Sequence, residues 1–258
     1  MTPLVFITGA SSGIGQSLAW HYYQAGYSLA LVARRTAEIQ TWATERGLLT
    51  DRYAVYSADV AVSDSIVAAA NLCLQQQGLP NVVIANAGIS IGMDTADLAD
   101  LDVMARTFAT NNVGLAATFH AFIGGMVRRG SGRLVGVGSV AGIRGLPGHG
   151  AYCASKAAVI TYCESLRGEL RGSGVKVVTI CPGYIDTPLT RQNRYSMPFL
   201  MQVDDFSAQA FAAIASGASY RVIPWQMGWV AKLLRMLPNA LYDKLLSGRP
   251  RKRRATEV

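Results

Sequence analysis

The chain has 258 residues, of which 50% are hydrophobic and 16% are charged, and its formal net charge is +8. The apolar content excludes an intrinsically disordered chain, and the length suits one large domain. Four scattered cysteines exclude a disulfide scaffold and favour a reducing compartment, and no spacing of cysteines or histidines indicates a metal site. No signal peptide or uninterrupted membrane span is recognisable, so we expect a cytoplasmic protein.

The positive charge is concentrated near the C-terminal end. Residues 220–258 contain 9 basic and 2 acidic side chains, whereas residues 1–219 contain 15 and 14. A nearly neutral body is therefore followed by a strongly basic segment, and the two need separate explanations. We predict one domain over residues 1–223 and an amphipathic helical extension with a basic tail over residues 224–258.

Short apolar runs alternate along the body with longer amphipathic segments. The predicted strands cover residues 4–8, 29–33, 53–57, 81–85, 133–137, 175–181 and 220–224. The predicted helices cover residues 13–25, 63–77, 101–129 and 152–171, with a further polar helical stretch after residue 33. Continuous apolar strands are typical of parallel sheets buried on both faces. The alternation predicts a doubly wound α/β fold, Rossmann-like, with about seven strands and helices on both faces.

The first predicted strand leads directly into a glycine-rich turn. Glycines let the backbone approach a pyrophosphate, and the helix that follows directs its free N–H groups at the anion. Glycines also cluster in ordinary turns, but the position between a strand and a helix favours a dinucleotide site. The candidate contacts in this turn are Thr8, Gly9, Ser11, Ser12, Gly13, Ile14 and Gly15.

Tyr152 and Lys156 are four residues apart in a predicted helix and therefore share one face. An ammonium about 4 Å from the phenol would stabilise the phenolate by about 4 kcal/mol at an effective dielectric of about 20. That would bring the pKa of the tyrosine from about 10 towards neutrality. Such a phenol is suited to exchange a proton with a carbonyl or alcohol oxygen.

These segments together resemble the short-chain dehydrogenase/reductase family over residues 1 to about 190. The resemblance rests on the glycine spacing after Thr8, on Asn86-Ala87-Gly88, on Tyr152 and Lys156, and on Pro182-Gly183. Ala85 departs from the family pattern, which has a first asparagine there. The resemblance implies an oxidoreductase that interconverts a carbonyl and an alcohol by hydride transfer with a nicotinamide cofactor.

The resemblance also implies a catalytic tetrad of Asn111, Ser139, Tyr152 and Lys156. In it Tyr152 is the acid/base, Ser139 orients the substrate oxygen, Asn111 holds a water of a proton relay, and Lys156 binds the nicotinamide ribose. The further cofactor contacts that it implies are Asp59, Val60, Asn86, Ala87, Gly88, Pro182, Gly183, Ile185 and Thr187.

Arg34 follows the second predicted strand, where the choice between the two nicotinamide cofactors is made. A guanidinium there suits the 2′-phosphate of NADP, so NADP(H) is favoured. The alternative is that Arg34 and Arg35 form a solvated helix start. Ser12 stands where many NADP-dependent relatives carry a basic residue.

The substrate-facing segments are mainly apolar, which favours a lipophilic small molecule. The expected contacts are Ile143, Arg144, Leu146, Tyr184, Met197, Phe199, Leu200 and Met201. For His149 a substrate contact competes with simple solvation. A short lid packed on the body is the alternative for residues 197–201.

The extension carries an apolar helical stripe with two tryptophans. The stripe comprises Trp225, Trp229, Leu233, Met236 and Leu237, and the basic residues after it are Arg249, Arg251, Lys252, Arg253 and Arg254. This pattern favours peripheral binding to an anionic membrane surface. The alternative is a helix packed on the body with a solvated tail. Nucleic-acid binding is not expected, because the basic cluster is confined to one end.

The sequence therefore predicts an NADP(H)-dependent oxidoreductase. A membrane-associated reductase of lipid or steroid ketones is an alternative, and a non-catalytic dinucleotide sensor or scaffold is another. By resemblance we expect a homodimer or homotetramer.

Overall fold

The computed structural model of the protein describes residues 2–193, 195–248, 251–252 and 254. One parallel sheet organises the fold. Its strands are β1 (Leu4–Thr8), β2 (Ser28–Ala33), β3 (Tyr53–Ser57), β4 (Val82–Ala85), β5 (Gly132–Val137), β6 (Val175–Pro182) and β7 (Tyr220–Ile223). The strand order is β3-β2-β1-β4-β5-β6-β7, and every neighbouring pair is parallel. The predicted doubly wound α/β fold is confirmed.

Helices connect the strands and cover both faces of the sheet. They are α1 (Gly13–Gln24), α2 (Thr36–Glu45), α3 (Ser63–Gln76), α4 (Asp100–Phe108), α5 (Gly114–Arg129), α6 (Gly150–Glu169), α7 (Val203–Ser216), α8 (Trp225–Met236) and α9 (Asn239–Leu246). The sequence analysis did not predict α7. Asp204 and Asp205 in its first turn are a signal that could have found it, since acidic side chains favour a helix N-terminus.

The predicted helix over residues 101–129 is interrupted. A π-helical turn, Ala109–Val113, separates α4 from α5. Asn111 and Asn112 lie in this turn and use their side-chain amides to bond to groups outside it. The break is therefore a local feature that carries polar side chains away from the regular helix surface.

Alternate side chains of the strands feed two apolar layers. Ile7 of β1 packs with Leu18 of α1 and Phe206 of α7 on one face. Phe6 packs with Phe119 of α5 on the other. Because the sheet is covered on both faces, its accessible polar edge is the one where the carboxyl ends of the parallel strands meet.

The strand order reverses between β1 and β4. These strands are direct neighbours, with Ile7 opposite Ile84, although the helices α1, α2 and α3 and two strands separate them in sequence. The connections after β1 and β4 leave towards opposite faces, which opens a crevice at this point. The glycine turn and the Asn86-Ala87-Gly88 segment both lie at that crevice.

The extension packs on the body through a face that the sequence did not indicate. Met227, Gly228 and Ala231 of α8 are buried, whereas Trp225, Trp229, Leu233 and Met236 are 60–80% exposed. The helix is therefore packed on the body, as that alternative expected, but through this second face and not through the stripe. Gly228 explains the choice, since a Cβ there would lie 3.3 Å from Val222 Cβ and its absence lets α8 approach β7 closely. The division at residue 223 stays a prediction.

The tail alternative also needs correction. Arg251, Lys252 and Arg254 make polar contacts with the body, so these residues are not simply solvated. Arg249 and Arg253 lie outside the described residues. Among the residues that the structure describes, no helix combines the length and the apolar character that crossing a bilayer requires.

Candidate active site

The glycine turn has a backbone that requires glycine. Gly9 and Gly13 have φ values of +68° and +55°, which is left-handed backbone. A Cβ at Gly15 would lie 2.3 Å from the carbonyl oxygen of Gly9, so α1 can start this close to β1 only with glycine there. The Ser12 side chain makes no capping hydrogen bond to α1. The N–H groups of the first turn can therefore receive an anion, and the turn fits a pyrophosphate.

Thr8 and Asn86 join the two loops of the crevice. Thr8 Oγ1 accepts hydrogen bonds from the backbone N–H groups of Asn86 (3.1 Å) and Ala87 (3.2 Å). The Asn86 side-chain amide donates to the carbonyl oxygen of Thr8 over 3.0 Å. A Cβ at Gly9 would lie 2.9 Å from Ala87 Cα. These predicted cofactor residues are thus assembled, and they fix the shape of the crevice.

Two arginines stand at the rim of the turn. Arg34 is 70% exposed at its side chain and its Nη1 lies 3.5 Å from Asp59 Oδ2. Arg35 donates from Nη2 to Ser11 Oγ over 3.3 Å. The sequence assigned a role to Arg34 alone, and the structure adds Arg35 as the arginine in direct contact with the glycine turn. Val60, next to Asp59, is buried.

Ser139, Tyr152 and Lys156 meet where β5 ends. The side chains of Tyr152 and Ser139 are neighbours that line the same cavity, and Ser139 Oγ accepts from the backbone N–H of Ala141 over 3.1 Å. Lys156 Nζ lies 5.9 Å from the centroid of the Tyr152 ring and donates to the carbonyl oxygen of Val137 over 2.8 Å. Three of the four predicted catalytic residues therefore form one group.

Asn111 lies behind this group. Its side-chain amide donates to Ser155 Oγ over 2.9 Å, and Ser155 Oγ donates to the carbonyl oxygen of Tyr152 over 2.8 Å. A Cβ at Gly88 would lie 3.2 Å from Asn111 Oδ1 and 3.4 Å from Lys156 Nζ. The sequence interpretation missed Ser155, which stands within the Tyr-x-x-x-Lys segment and is fully buried.

The electrostatics differ from the expectation. Burial raises the pKa of Tyr152 to about 12, and the neighbouring Ser139 side chain opposes this shift. Burial lowers the pKa of Lys156 to about 8. The predicted lowering of the phenol pKa by Lys156 is therefore wrong for the chain by itself, because burial of the phenol is the largest influence on its pKa and Lys156 is not among the groups that shift it. Tyr152 keeps its proton at neutral pH.

A cavity of about 140 Å³ opens beside Tyr152 and Ser139. Of the predicted substrate residues, Arg144, Leu146 and Tyr184 line it, whereas Phe199 and Leu200 are about half exposed elsewhere. The extension supplies an apolar wall that the sequence did not predict, formed by Met227, Val230, Ala231 and Leu234.

His149 also lines this cavity, which decides against simple solvation. It is 6% exposed, and its Nε2 is hydrogen bonded with the Tyr195 hydroxyl over 3.2 Å. Burial lowers the pKa of His149. The imidazole is therefore a polar wall of the site.

The loop after β6 closes over the glycine turn. Pro182 ends β6, and a Cβ at Gly183 would lie 2.9 Å from Met227 Cγ. A Cβ at Gly13 would lie 3.3 Å from Thr187 Cβ, so Thr187 covers the turn. Ile185 is 2% exposed and belongs to the core, so only its backbone is positioned to meet a ligand.

Comparisons with known proteins agree with this geometry. The model of the short chain dehydrogenase family matches residues 3–197. An uncharacterized oxidoreductase of Myxococcus xanthus is 37% identical over 237 residues, covering 92% of this chain and 93% of the relative. A short-chain dehydrogenase from Sphingobium yanoikuyae in complex with NADPH has a TM-score of 0.77 at 26% identity, covering 92% of this chain and 97% of that one.

A short-chain dehydrogenase/reductase from Burkholderia phymatum in complex with NAD has a TM-score of 0.81 at 22% identity, covering 96% of both chains. At this identity the likeness concerns the fold alone. The family match, the similarity to the Myxococcus xanthus relative over nearly the whole chain, and the assembled crevice lead to one conclusion. The chain belongs to the short-chain dehydrogenase family of oxidoreductases.

Proposed function

We propose that the protein is an NADP(H)-dependent reductase of a lipophilic ketone or aldehyde. The observation that carries the proposal is the placement of the Tyr152 and Ser139 hydroxyls side by side at a largely apolar cavity, with Lys156 and Asn111 directly behind them. A pair of hydroxyls in such a place can bind a carbonyl oxygen and protonate it.

The crevice would hold the cofactor in three parts. The turn from Thr8 to Gly15 would receive the pyrophosphate, while Arg34, Asp59 and Val60 would receive the adenosine end. The nicotinamide end would meet Asn86, Ala87, Gly88, Tyr152, Lys156, Pro182, Gly183, Ile185 and Thr187. When bound, the reduced nicotinamide supplies the hydride for the carbonyl carbon.

The chain's own groups handle the proton. Tyr152 donates its phenolic proton to the carbonyl oxygen as negative charge develops there, and the Ser139 hydroxyl donates a hydrogen bond to the same oxygen. The ammonium of Lys156 stabilises the phenolate that remains. A phenol with a pKa of about 12 is protonated at neutral pH, so Tyr152 holds the proton that reduction of a carbonyl requires. Asn111 positions Tyr152 through Ser155.

The choice of NADP(H) is supported by charge at the rim. Arg34 and Arg35 both stand beside the turn, and each is more than half exposed at its side chain. Their partners, Asp59 and Glu38, are partly exposed, so these ion pairs are weak and leave the guanidinium groups able to bind a phosphate.

The test is consumption of NADPH with a series of hydrophobic ketones and aldehydes. Tyr152→Phe removes the proton donor, so we expect a loss of about 10²- to 10⁴-fold in kcat with unchanged NADPH binding. Tyr162→Phe is the matched control, because Tyr162 lies on the same helix and is 37% exposed. Full activity of Tyr152→Phe would remove Tyr152 from the mechanism. NADPH binding without turnover of any carbonyl would favour the alternative function of a non-catalytic dinucleotide sensor.

We further propose that the exposed apolar face of α8 and α9 rests on an anionic membrane surface. Trp225, Trp229, Leu233 and Met236 of α8 are exposed, and Leu241 and Leu245 of α9 continue the face. Lys232 stacks on Trp229 at 5.2 Å and supplies a cation beside the apolar patch. If the protein binds membranes in this way, lipid or steroid ketones in the membrane would be its substrates.

We also propose that the protein assembles as a homodimer or homotetramer. The outer faces of α4 and α5 expose apolar side chains that a second copy would cover, namely Leu101, Met104 and Val127. Light scattering coupled to size-exclusion chromatography measures the mass, and a monomer at micromolar concentration would contradict this proposal.

A further inference from the structure

The described tail residues are fixed against the body on either side of Lys252. Arg254 donates from Nε to Asp100 Oδ2 over 2.7 Å and also pairs with Asp97. Its backbone forms a parallel bridge with Gly92. On the other side, Arg251 lies 3.7 Å from Asp94 as an ion pair. These contacts on both sides fix the backbone position of Lys252 relative to the body.

The Lys252 side chain points into the substrate cavity. It lines the cavity together with Ser139 and Tyr152, and its Nζ donates to Ser90 Oγ over 2.8 Å. The side chain is half-buried, and its charge is one of the factors that lower the pKa of His149, after burial of the imidazole. A cation from the C-terminal extension therefore faces the same space as the proton donor.

No carboxylate among the described residues forms an ion pair with the ammonium of Lys252. Every ion pair within the part of the chain that the structure describes involves an arginine, and none includes Lys252. Burial lowers the pKa of Lys252 to about 8. A partly buried ammonium without a counter-charge is unfavourable unless a ligand provides one.

The other cation of the cavity is already engaged. Arg144 donates from Nη1 to the carbonyl oxygen of Leu237 over 2.9 Å, and its guanidinium lies 3.7 Å over the Tyr242 ring. These contacts hold α8 and α9 to the loop before α6. Arg144 thus acts in folding the extension, and Lys252 is the cation that faces the cavity with a hydroxyl as its partner.

We propose that Lys252 binds a carboxylate of the substrate, so that the substrate is an oxo acid with an apolar chain between the carbonyl and the acid. The chain would lie along Leu146, Leu189, Met227 and Val230, with the carbonyl at Tyr152 and the carboxylate at Lys252 and Ser90. The inference rests on the proposed reductase function and gives it a substrate class.

The test compares acids with their esters. Linear methyl ketones that end in a carboxylate, of increasing chain length, are assayed beside their methyl esters with NADPH. We expect the wild type to prefer the acid at one length. Lys252→Gln should lower the acid-to-ester ratio of kcat/KM by about 10- to 100-fold, mainly through KM. Lys244→Gln, an exposed lysine of α9, is the control and should keep the ratio.

Binding provides a readout without turnover. Calorimetry with saturated carboxylates and the matching alcohols should give tighter binding of the carboxylate by the wild type, with the difference lost in Lys252→Gln. Equal loss for acid and ester, higher activity towards both, or a wild type that prefers esters at every length would overturn the assignment and leave the reductase standing. Carboxylate binding that depends on Lys252 without turnover of any carbonyl would instead refute the reductase.

Discussion

Lys156 donates its ammonium hydrogen bond to the carbonyl oxygen of Val137 over 2.8 Å. This bond ties the catalytic helix α6 to the end of β5, from which the chain continues to Ser139. It also holds the ammonium in a place that water does not reach, and the pKa of Lys156 is about 8 as a result.

The first prediction follows from that pKa. Lys156 is protonated below about pH 8 and loses its charge above it, because its pKa lies below the ordinary value of 10.5. We expect kcat/KM for a neutral ketone to be level up to about pH 8 and to fall about tenfold for each further pH unit. The fall should persist in Lys252→Gln, which removes the other lysine with a lowered pKa. A level profile to about pH 10 would contradict the assignment.

The second prediction concerns the cofactor. Arg34→Ala removes the guanidinium at the end of β2, so NADPH should bind about 10- to 100-fold more weakly while NADH binding changes little. Arg35→Ala loosens the contact with Ser11 and should weaken both cofactors slightly. Fluorescence titration measures the dissociation constants of NADH and NADPH for the wild type and each variant, with the exposed Arg128→Ala as control. Equal affinity of the wild type for NADH and NADPH would defeat the arginine argument.

The third prediction concerns the hydrogen bonds behind the site. Ser155→Ala leaves the Asn111 amide without one buried partner, which should lower the free energy of unfolding by about 1–3 kcal/mol. Ser165→Ala removes an exposed hydroxyl from the same helix, and its effect should stay within about 0.5 kcal/mol. Urea unfolding measures both. Similar values for the two variants would show that the Ser155 contact contributes little.

The fourth prediction compares two glycines. Gly15→Ala places a methyl group 2.3 Å from the Gly9 carbonyl oxygen and should abolish nucleotide binding or folding. A Cβ at Gly168 in α6 would meet no atom within 4 Å. Gly168→Ala should therefore raise stability by about 0.5–1 kcal/mol, because alanine favours the helix. Normal NADPH binding by a folded Gly15→Ala variant would exclude the steric argument.

The fifth prediction concerns the exposed face of the extension. The wild type should co-sediment at low salt with vesicles that contain an anionic phospholipid, and Trp229→Gln should reduce the bound fraction several-fold. Leu49→Gln is the matched control, since Leu49 is similarly exposed (58% against 60%) but lies between α2 and β3. Absence of wild-type binding would leave the face to another partner.

Local signals in the sequence were enough for most of the fold and for the catalytic group. The apolar runs of the strands, the glycines at 9, 13 and 15, and the four-residue spacing of Tyr152 and Lys156 each depend on neighbours along the chain. The structure confirms the strands as one parallel sheet, with the glycine turn directly after β1 and Tyr152 and Lys156 both in α6.

Long-range contacts could not be predicted in this way. The bonds of Arg254 with Asp97 and Asp100 join residues more than 150 positions apart, and no periodicity records such a pairing. The apolar stripe of α8 was correctly located in the sequence. Whether the stripe or the opposite face of α8 would be buried depended on the shape of β7 and of the loop before α6. The pKa of Tyr152 likewise depended on burial, which spacing alone does not determine.

The π-helical turn between α4 and α5 makes the chain sensitive to the deletion of a single residue there. It adds one residue to what would otherwise be a continuous helix, and Asn111 sits in that surplus. Deleting one position in this stretch would let the helix become regular, while the side chains after it would keep their face because the wide turn already accommodates the extra residue. A shortened gene product of this kind would keep a helix here and lose the amide behind Lys156, so the length of this segment matters as much as its composition.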